Sequence, residues 1–234
     1  NSGKSPDCVI VNVTVRSMKL HGGAFGDKAS RRPSDKEIKK KNVKAVKAGA
    51  QSNLDRHIRN MKMFGMPVIV SVNRFSTDTD DELNCLMDCA NASGAHAVCL
   101  TEVHANGGEG GVELAKATVA ACQDHIAAGR PFTPLFNSET PIEEKALRIA
   151  TRIYGADGIN ITAKADRQLK QIESWGYGNL SVCMAKTQYS FSHDPNLLGA
   201  PSGFEVPIRE FRLNAGAGFV VAVLGEIMTM PGLP

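Results

Sequence analysis

Three short and nearly all-apolar runs constrain this chain most: CVIVNVTV (8–15), PVIVSVN (67–73) and AVCLTE (97–102). An alternating strand leaves one face in water. An unbroken apolar run needs cover on both faces, which is the situation of a strand in a parallel sheet. Parallel neighbours must be joined by crossovers, and the segments between these runs carry helical patterns. Between the first two, Val43, Val46, Ala50, Leu54, Ile58 and Met61 recur at helical spacing. After the second, Thr79-Asp80-Asp81-Glu82 forms a capping box with Thr79 as N-cap and Glu82 at N3, and Leu83, Leu86 and Met87 give that helix its apolar face. After the third, GGEGG (107–111) opens a helix carrying Leu114, Ala117 and Ala121. The expectation is an α/β portion over residues 1–130, a parallel sheet flanked by helices.

The pattern changes at AAGRPFTP (127–134), where Gly, Pro and small residues cluster. Thr140-Pro141-Ile142-Glu143 reads as a second capping box with Thr140 as N-cap, ahead of a stripe of Ile142, Ala146, Ile149, Ala150 and Ile153. Gly155 stands where a C-cap glycine belongs. A helix from Thr162 to Trp175-Gly176 and strand-like runs at LSVCMAK (180–186), FEVPIREFRLN (204–214) and FVVAVLG (219–225) complete a smaller, truncated α+β domain, expected over 131–234. The chain opens at Asn1 without Met and stops at PGLP straight after an apolar strand, so it reads as cut at both ends.

Composition excludes several classes. With 42% hydrophobic and 22% charged residues the chain is globular in type, and a net charge of +3 argues for neither nucleic acid nor an anionic membrane surface. No apolar run approaches the ~20 residues of a membrane span, and no secretory signal opens the sequence. The expectation is a cytoplasmic protein with reduced thiols. Cys8, Cys99 and Cys183 lie in apolar runs and read as core residues, and Cys85 and Cys89 have no partners at zinc-ligand spacing.

The candidates for chemistry lie where strands end, because ligands of open parallel sheets sit outside the carboxyl ends of the strands. The first strand runs into TVRSMKLHGG (14–23), the second into Asn73-Arg74-Phe75, the third into Thr101-Glu102-Val103-His104 and GGEGG. Asn73 offers a donor and an acceptor to a nucleobase or pterin edge, and Phe75 and His104 offer flat faces. The GGEGG amides at a helix start can receive an anion. The alternatives are that Asn73 and Phe75 serve a turn and the core, and that GGEGG is a flexible turn. The lysines of DKEIKKKNVKAVK (35–47) read as a solvated helix face rather than an anion patch, since Asp35 and Glu37 interrupt them. Gly3-Lys4-Ser5 is no phosphate loop, because Pro6 and a strand follow it instead of a helix. Lys186 and Thr187 in MAKT read as exposed at a strand end, without a role.

These segments resemble the formate–tetrahydrofolate ligase family. TVRSMKLHGG is close to the family's T-[IV]-R-A-L-K-x-[HN]-G-G, with Ser17 and Met18 in place of Ala-Leu. FGMPVIVSVNRFSTDTDDEL (64–83) is similar to FG-x-P-V-V-V-A-[IV]-N-x-F-x-T-D-T-x-x-E-L, and TEVHANGGEGG, IYGADGIN, GYGNLSVCMAKTQYSFS and IMTMPGLP also match in the family's order. The resemblance implies a P-loop NTPase-like fold whose phosphate loop lies upstream of Asn1, so that the fragment alone is inactive and its catalytic groups are unknown. It implies a ligase in one-carbon metabolism that forms 10-formyltetrahydrofolate through formyl phosphate, using ATP with Mg²⁺, formate and tetrahydrofolate, activated by K⁺ or NH₄⁺, and acting as a homo-oligomer. The rival expectation is a non-catalytic folate-binding or structural paralogue. By the same resemblance the pterin ring lies between Phe75 and His104, with Leu100 lining the pocket, and Arg16, Ser17 and Asn73 are nucleotide candidates. His104 stands where the family has Trp, a larger stacking face. Arg74 stands at a position that is commonly Ala.

Overall fold

The computed structural model describes residues 5–26 and 33–225. The readings made on Gly3-Lys4 and on PGLP lie outside them. Backbone contacts divide the chain into two units, Asn1–Pro134 and Leu135–Pro234.

The first unit runs β1 (Val9–Val13), α1 (Val15–His21), α2 (Asp35–Lys39), α3 (Val43–Gly49), a π-helical turn (Ala50–Leu54), α4 (Asp55–Lys62), β2 (Val68–Asn73), α5 (Asp80–Ala92), β3 (Ala97–Thr101), α6 (Val103–Asn106), a 3₁₀ turn (Gly107–Gly111) and α7 (Val112–Ala127). The strands form a parallel sheet in the order β1-β2-β3. Val13 pairs with Val72, and Asn73 with Thr101, so the three strands finish side by side. Val68 through Val72 are buried, as an unbroken apolar run in a central strand requires. Val11, Val13, Val70, Val72, Val98 and Leu100 share one cluster with Val46, Leu54 and Ile58 of the long helical segment and with Leu83 and Leu86 of α5. Each such side chain contributes roughly 1.5–3 kcal/mol when fully buried. α7 packs on β2 and β3.

The first strand is shorter than its apolar run suggests. It ends at Val13, because Thr14 takes an extended N-cap conformation and accepts a hydrogen bond from Ser17 N, starting α1 at Val15. Thr79 and Glu82 form the expected capping box of α5. The lysine-rich stretch is split into α2 and α3, and Lys36, Lys39, Lys40, Lys41, Lys44 and Lys47 are all exposed. α1 and α3 cross at backbone contact: a Cβ on Gly22 would lie 1.9 Å from Ala45 O, and one on Gly49 would lie 2.1 Å from Met18 O.

A buried ion pair joins three of these helices. Lys19 of α1 is 1% exposed and Glu82 of α5 is fully buried, with Nζ and Oε1 2.8 Å apart. Lys19 also donates to Ile38 O and Lys40 O, at the end of α2, at 3.0 and 3.1 Å. Glu82 accepts from Asn42 N at 2.6 Å and from Thr79 N and Oγ1 at 3.2 and 2.9 Å. Burial raises the Glu82 pKa, but the Lys19 ammonium, Asn42 N–H and Thr79 outweigh it and hold the carboxyl below its usual range.

The second unit contains α8 (Ile142–Arg148) with a π-helical turn (Ile149–Tyr154), β4 (Gly158–Ile161), α9 (Ala163–Ser174), β5 (Ser181–Ala185), β6 (Glu205–Ile208), β7 (Glu210–Asn214), a 3₁₀ turn (Ala215–Ala217) and β8 (Phe219–Val223). β4 pairs parallel with β6; β8 lies between β5, parallel, and β7, antiparallel. Gly155 caps the α8 segment in the left-handed conformation, and Thr162 caps α9 through its hydroxyl. The N-cap of α8 is Pro141, not Thr140: the Thr140 hydroxyl donates to Asn137 Oδ1 at 2.9 Å, so the expected capping box does not form. Lys145, 1% exposed, donates to Ser138 O, Asn179 O and Leu180 O, tying the start of α8 to the loop before β5.

The cysteine expectation needs correcting. Cys183 is exposed, Cys8 and Cys99 are half-buried, and Cys89 on α5 is the buried one; all six are free thiols. Cys8 precedes β1, Cys99 sits on an edge strand, and Cys183 points out of β5, so an apolar run did not guarantee an inward side chain. Lys186 is likewise half-buried: its ammonium lies 4.9 Å from the Tyr154 ring centre and donates to Ser190 O, and burial pushes its pKa down to about 8.

Candidate functional site

The segments after β1 and β2, with α2, build the site, and the loop after β3 is tied to them through Arg74 and Glu102. After β1, Thr14 and Ser17 close a capping box, in which Ser17 Oγ donates to Thr14 O at 2.8 Å and Ser17 N donates to Thr14 Oγ1 at 3.1 Å. Ser17 is thereby committed to its own helix end, while Arg16 projects beside it into a cavity. After β2, Arg74 N continues the sheet by donating to Thr101 O at 3.0 Å, and its guanidinium reaches Asp80 at 3.0 Å and Glu102 at 3.6 Å. The chain then turns tightly: Phe75 N donates to Asp78 Oδ2 at 2.9 Å, and Asp78 N to Phe75 O at 3.0 Å. The turn leaves Phe75 50% exposed at the rim of a cavity.

After β3, the Thr101 hydroxyl is buried against Ser71 Oγ at 3.1 Å, stitching the two strand ends. Glu102 N donates to Gly110 O at 3.0 Å, closing a loop that carries α6 and the exposed His104. Gly110 is required there, since a Cβ would lie 2.4 Å from the Glu102 carbonyl carbon. GGEGG forms a 3₁₀ turn, held to the end of β3 through Gly110.

A cavity of about 270 Å³ opens beside Phe75, lined by Thr14, Arg16, Asp35, Ile38, Lys39, Phe75, Thr77 and Asp78. It brings together two of the residues picked from the sequence, Arg16 and Phe75. Ser17, Asn73, Leu100 and His104 do not line it. Asn73 ends β2 half-buried, paired in register with Thr101, and Leu100 packs against the apolar cluster. Burial pushes the Asp78 carboxyl above its usual range, against the pull of the Phe75 N–H. The cavity therefore offers an aromatic face, two cations and two carboxyls. A larger cavity, about 590 Å³, lies at the other end of the strands, around Val68 and His96. Among the described residues no group of three or more His, Cys, Asp or Glu is placed to hold a metal ion.

Sequence reading missed Asp35, Ile38, Lys39, Thr77 and Asp78 as cavity residues, and the Lys19–Glu82 pair beside them. A signal for the pair was present. Val15, Met18, Lys19 and Gly22 share one helical stripe, and a lysine on an apolar stripe must find an anion or carbonyls.

Converging loops at the carboxyl ends of parallel strands define an open α/β unit of the kind whose ligands sit at those ends. The sequence narrows this to one family. It matches the formate–tetrahydrofolate ligase family over residues 1–234, and the chain belongs to that family. It is 46% identical over 234 residues to the formate–tetrahydrofolate ligase of Symbiobacterium thermophilum, 48% over 233 residues to that of Ruegeria sp. and 46% over 233 residues to that of Staphylococcus aureus. Each comparison covers 100% of this chain and 39% of the relative, so the chain spans well under half the length of the curated relatives it matches.

Proposed function

We propose that the full-length protein is an ATP-dependent ligase that joins formate to tetrahydrofolate, giving 10-formyltetrahydrofolate through formyl phosphate, and that this chain supplies its folate-binding loops. The observation that carries the reading is the half-exposed Phe75 ring over a cavity at the strand ends, in a chain that belongs to this family throughout. Phe75 supplies one face for the pterin ring and His104, on the loop after β3 and outside the Phe75 cavity, supplies the other; Leu100 supports them from the apolar cluster without lining the cavity. Arg16, which lines the cavity, serves the nucleotide side, with Asn73 and Ser17 as the further candidates. A flat heterocycle between two such faces gains dispersion and hydrophobic burial without needing a fixed hydrogen-bond pattern.

The reading includes a P-loop NTPase-like fold completed by a phosphate loop outside this chain, division into a nucleotide- and folate-binding portion over 1–130 and a C-terminal domain over 131–234, a homo-oligomeric enzyme, and a cytoplasmic location. No described helix is long and apolar enough to cross a membrane. The chemistry needs ATP with Mg²⁺, which neutralises the transferring phosphoryl group, and K⁺ or NH₄⁺ as activator. The described residues offer no metal cage, so no step is assigned to an ion held by this chain.

One observation favours a second reading, a folate-binding paralogue without turnover: His104 presents a smaller face than the Trp of the family. The test is to incubate the full-length protein with ATP, formate and tetrahydrofolate, then measure ADP and 10-formyltetrahydrofolate after acid conversion to the methenyl form. Formate-dependent product is expected. Folate binding by calorimetry with no product would instead establish the second reading.

A further inference from the structure

Cys8 and Cys122 are 114 residues apart in sequence, yet their sulfurs meet at 3.5 Å, the Cys122 thiol donating to Cys8 Sγ. Cys8 stands at the amino end of β1, where the next residue, Val9, is held by its N–H to Pro67 O at 3.0 Å. Cys122 lies on α7 between the buried Ala121 and His125, which anchor that helix. Both backbones are therefore fixed, and the thiols face each other across the junction of sheet and helix. Both are free and half-buried, so small solutes reach them. A bond requires the sulfurs to close by about 1.5 Å, to ~2.05 Å.

We propose that Cys8 and Cys122 form a dithiol modification site that a low-molecular-weight disulfide converts into a reversible cross-link between β1 and α7. The Cys122 thiolate attacks one sulfur of the small disulfide, forming a mixed disulfide and releasing the first small thiol, which takes up a proton. Cys8 then loses its proton and attacks Cys122 Sγ, forming the internal bond and releasing the second small thiol. Two protein thiols and one small disulfide thus become one protein disulfide and two small thiols. Either thiol can open the exchange, because the second attack crosses the same 3.5 Å gap; burial, which pushes the Cys8 thiol up to about 11, slows the step that Cys8 takes.

The test uses the full-length protein with oxidised glutathione as the probe, followed by alkylation, digestion and mass spectrometry. A linked peptide containing Cys8 and Cys122 is expected, lost again on treatment with dithiothreitol. Cys8→Ser, which keeps the size of the side chain, is expected to trap glutathione on Cys122. The exposed Cys183 is the internal control for accessibility. If glutathione accumulates on Cys183 while no linked peptide forms and Cys122 stays free in both proteins, the proposal is overturned.

Discussion

Replacing Glu82 by Gln keeps the shape of the side chain and removes its charge. In the native protein Lys19 and Glu82 are 1% and 0% exposed and 2.8 Å apart. At an effective dielectric of ~20 the attraction over that distance is about 6 kcal/mol, much of it offset by the cost of desolvating both ions. Removing one partner leaves the other cost in place, which is why breaking a buried pair costs about 3–5 kcal/mol. The amide adds a further conflict: its NH₂ must replace either Oε1, which takes the Lys19 ammonium and the Asn42 N–H, or Oε2, which takes the Thr79 N–H and hydroxyl, and an N–H donor already points at each. Hydrogen exchange of α3 and α5 amides in the full-length protein reports local opening of this unit. The expected change is roughly a hundredfold to a few thousandfold faster exchange, at about tenfold per 1.4 kcal/mol. In the double variant with Lys19→Met the loss is expected to be smaller than the sum of the two single losses. If Glu82→Gln exchanges within threefold of the parent, the pair is not holding these helices together and the reasoning fails.

Four further outcomes follow from the same geometry. The folded Glu82 pKa lies below its ordinary 4.5, so its contribution is present above that value and is lost as pH falls through the folded pKa; the acid limb of the same exchange measurement is expected to flatten in Glu82→Gln. Phe75→Ala removes a ring that is 50% exposed, so thermal stability is expected to hold while tetrahydrofolate affinity drops about five- to hundredfold, taking ~1–3 kcal/mol for a stacked ring; unchanged affinity by calorimetry would sink the pterin assignment. His104→Trp enlarges the opposing face and is expected to tighten tetrahydrofolate binding, and an affinity that is equal or weaker counts against the placement of that loop in the pocket. Gly110→Ala drives a Cβ into the Glu102 backbone at 2.4 Å, so the loop carrying His104 must move; the expected result is weaker folate binding at nearly unchanged global stability.

How much of this was legible follows from the kind of signal each residue left. The apolar runs announced the strands because both faces of a parallel strand are dry, and Val68 to Val72 are buried as that rule demands. The boundary at Thr14 was harder to read: VTV continues the apolar pattern, and only the Ser17 hydroxyl, three residues on, marks the cap. Thr79-Glu82 and Thr140-Glu143 carry the same spacing, yet only the first forms a box, since Asn137 draws the Thr140 hydroxyl away. Phe75 stood out in the sequence as a flat face at a strand end. Lys39 and Asp35 did not, because they reach the cavity from a helix that comes from a different loop, and a charged residue on a solvated face leaves no periodic mark. Asp78 was hidden for another reason: its position depends on the turn it makes with Phe75, which side-chain type alone does not specify.

The crossing of α1 over α3 has a consequence for how this site can diversify. With Gly22 against Ala45 O and Gly49 against Met18 O, neither helix can slide or rotate without backbone collision, so the wall that carries Arg16 is a keel rather than a hinge. New ligand shapes would have to be accommodated chiefly by reshaping the turn after β2, since the loop after β3 is held by its own glycine contact, Gly110 against the Glu102 backbone.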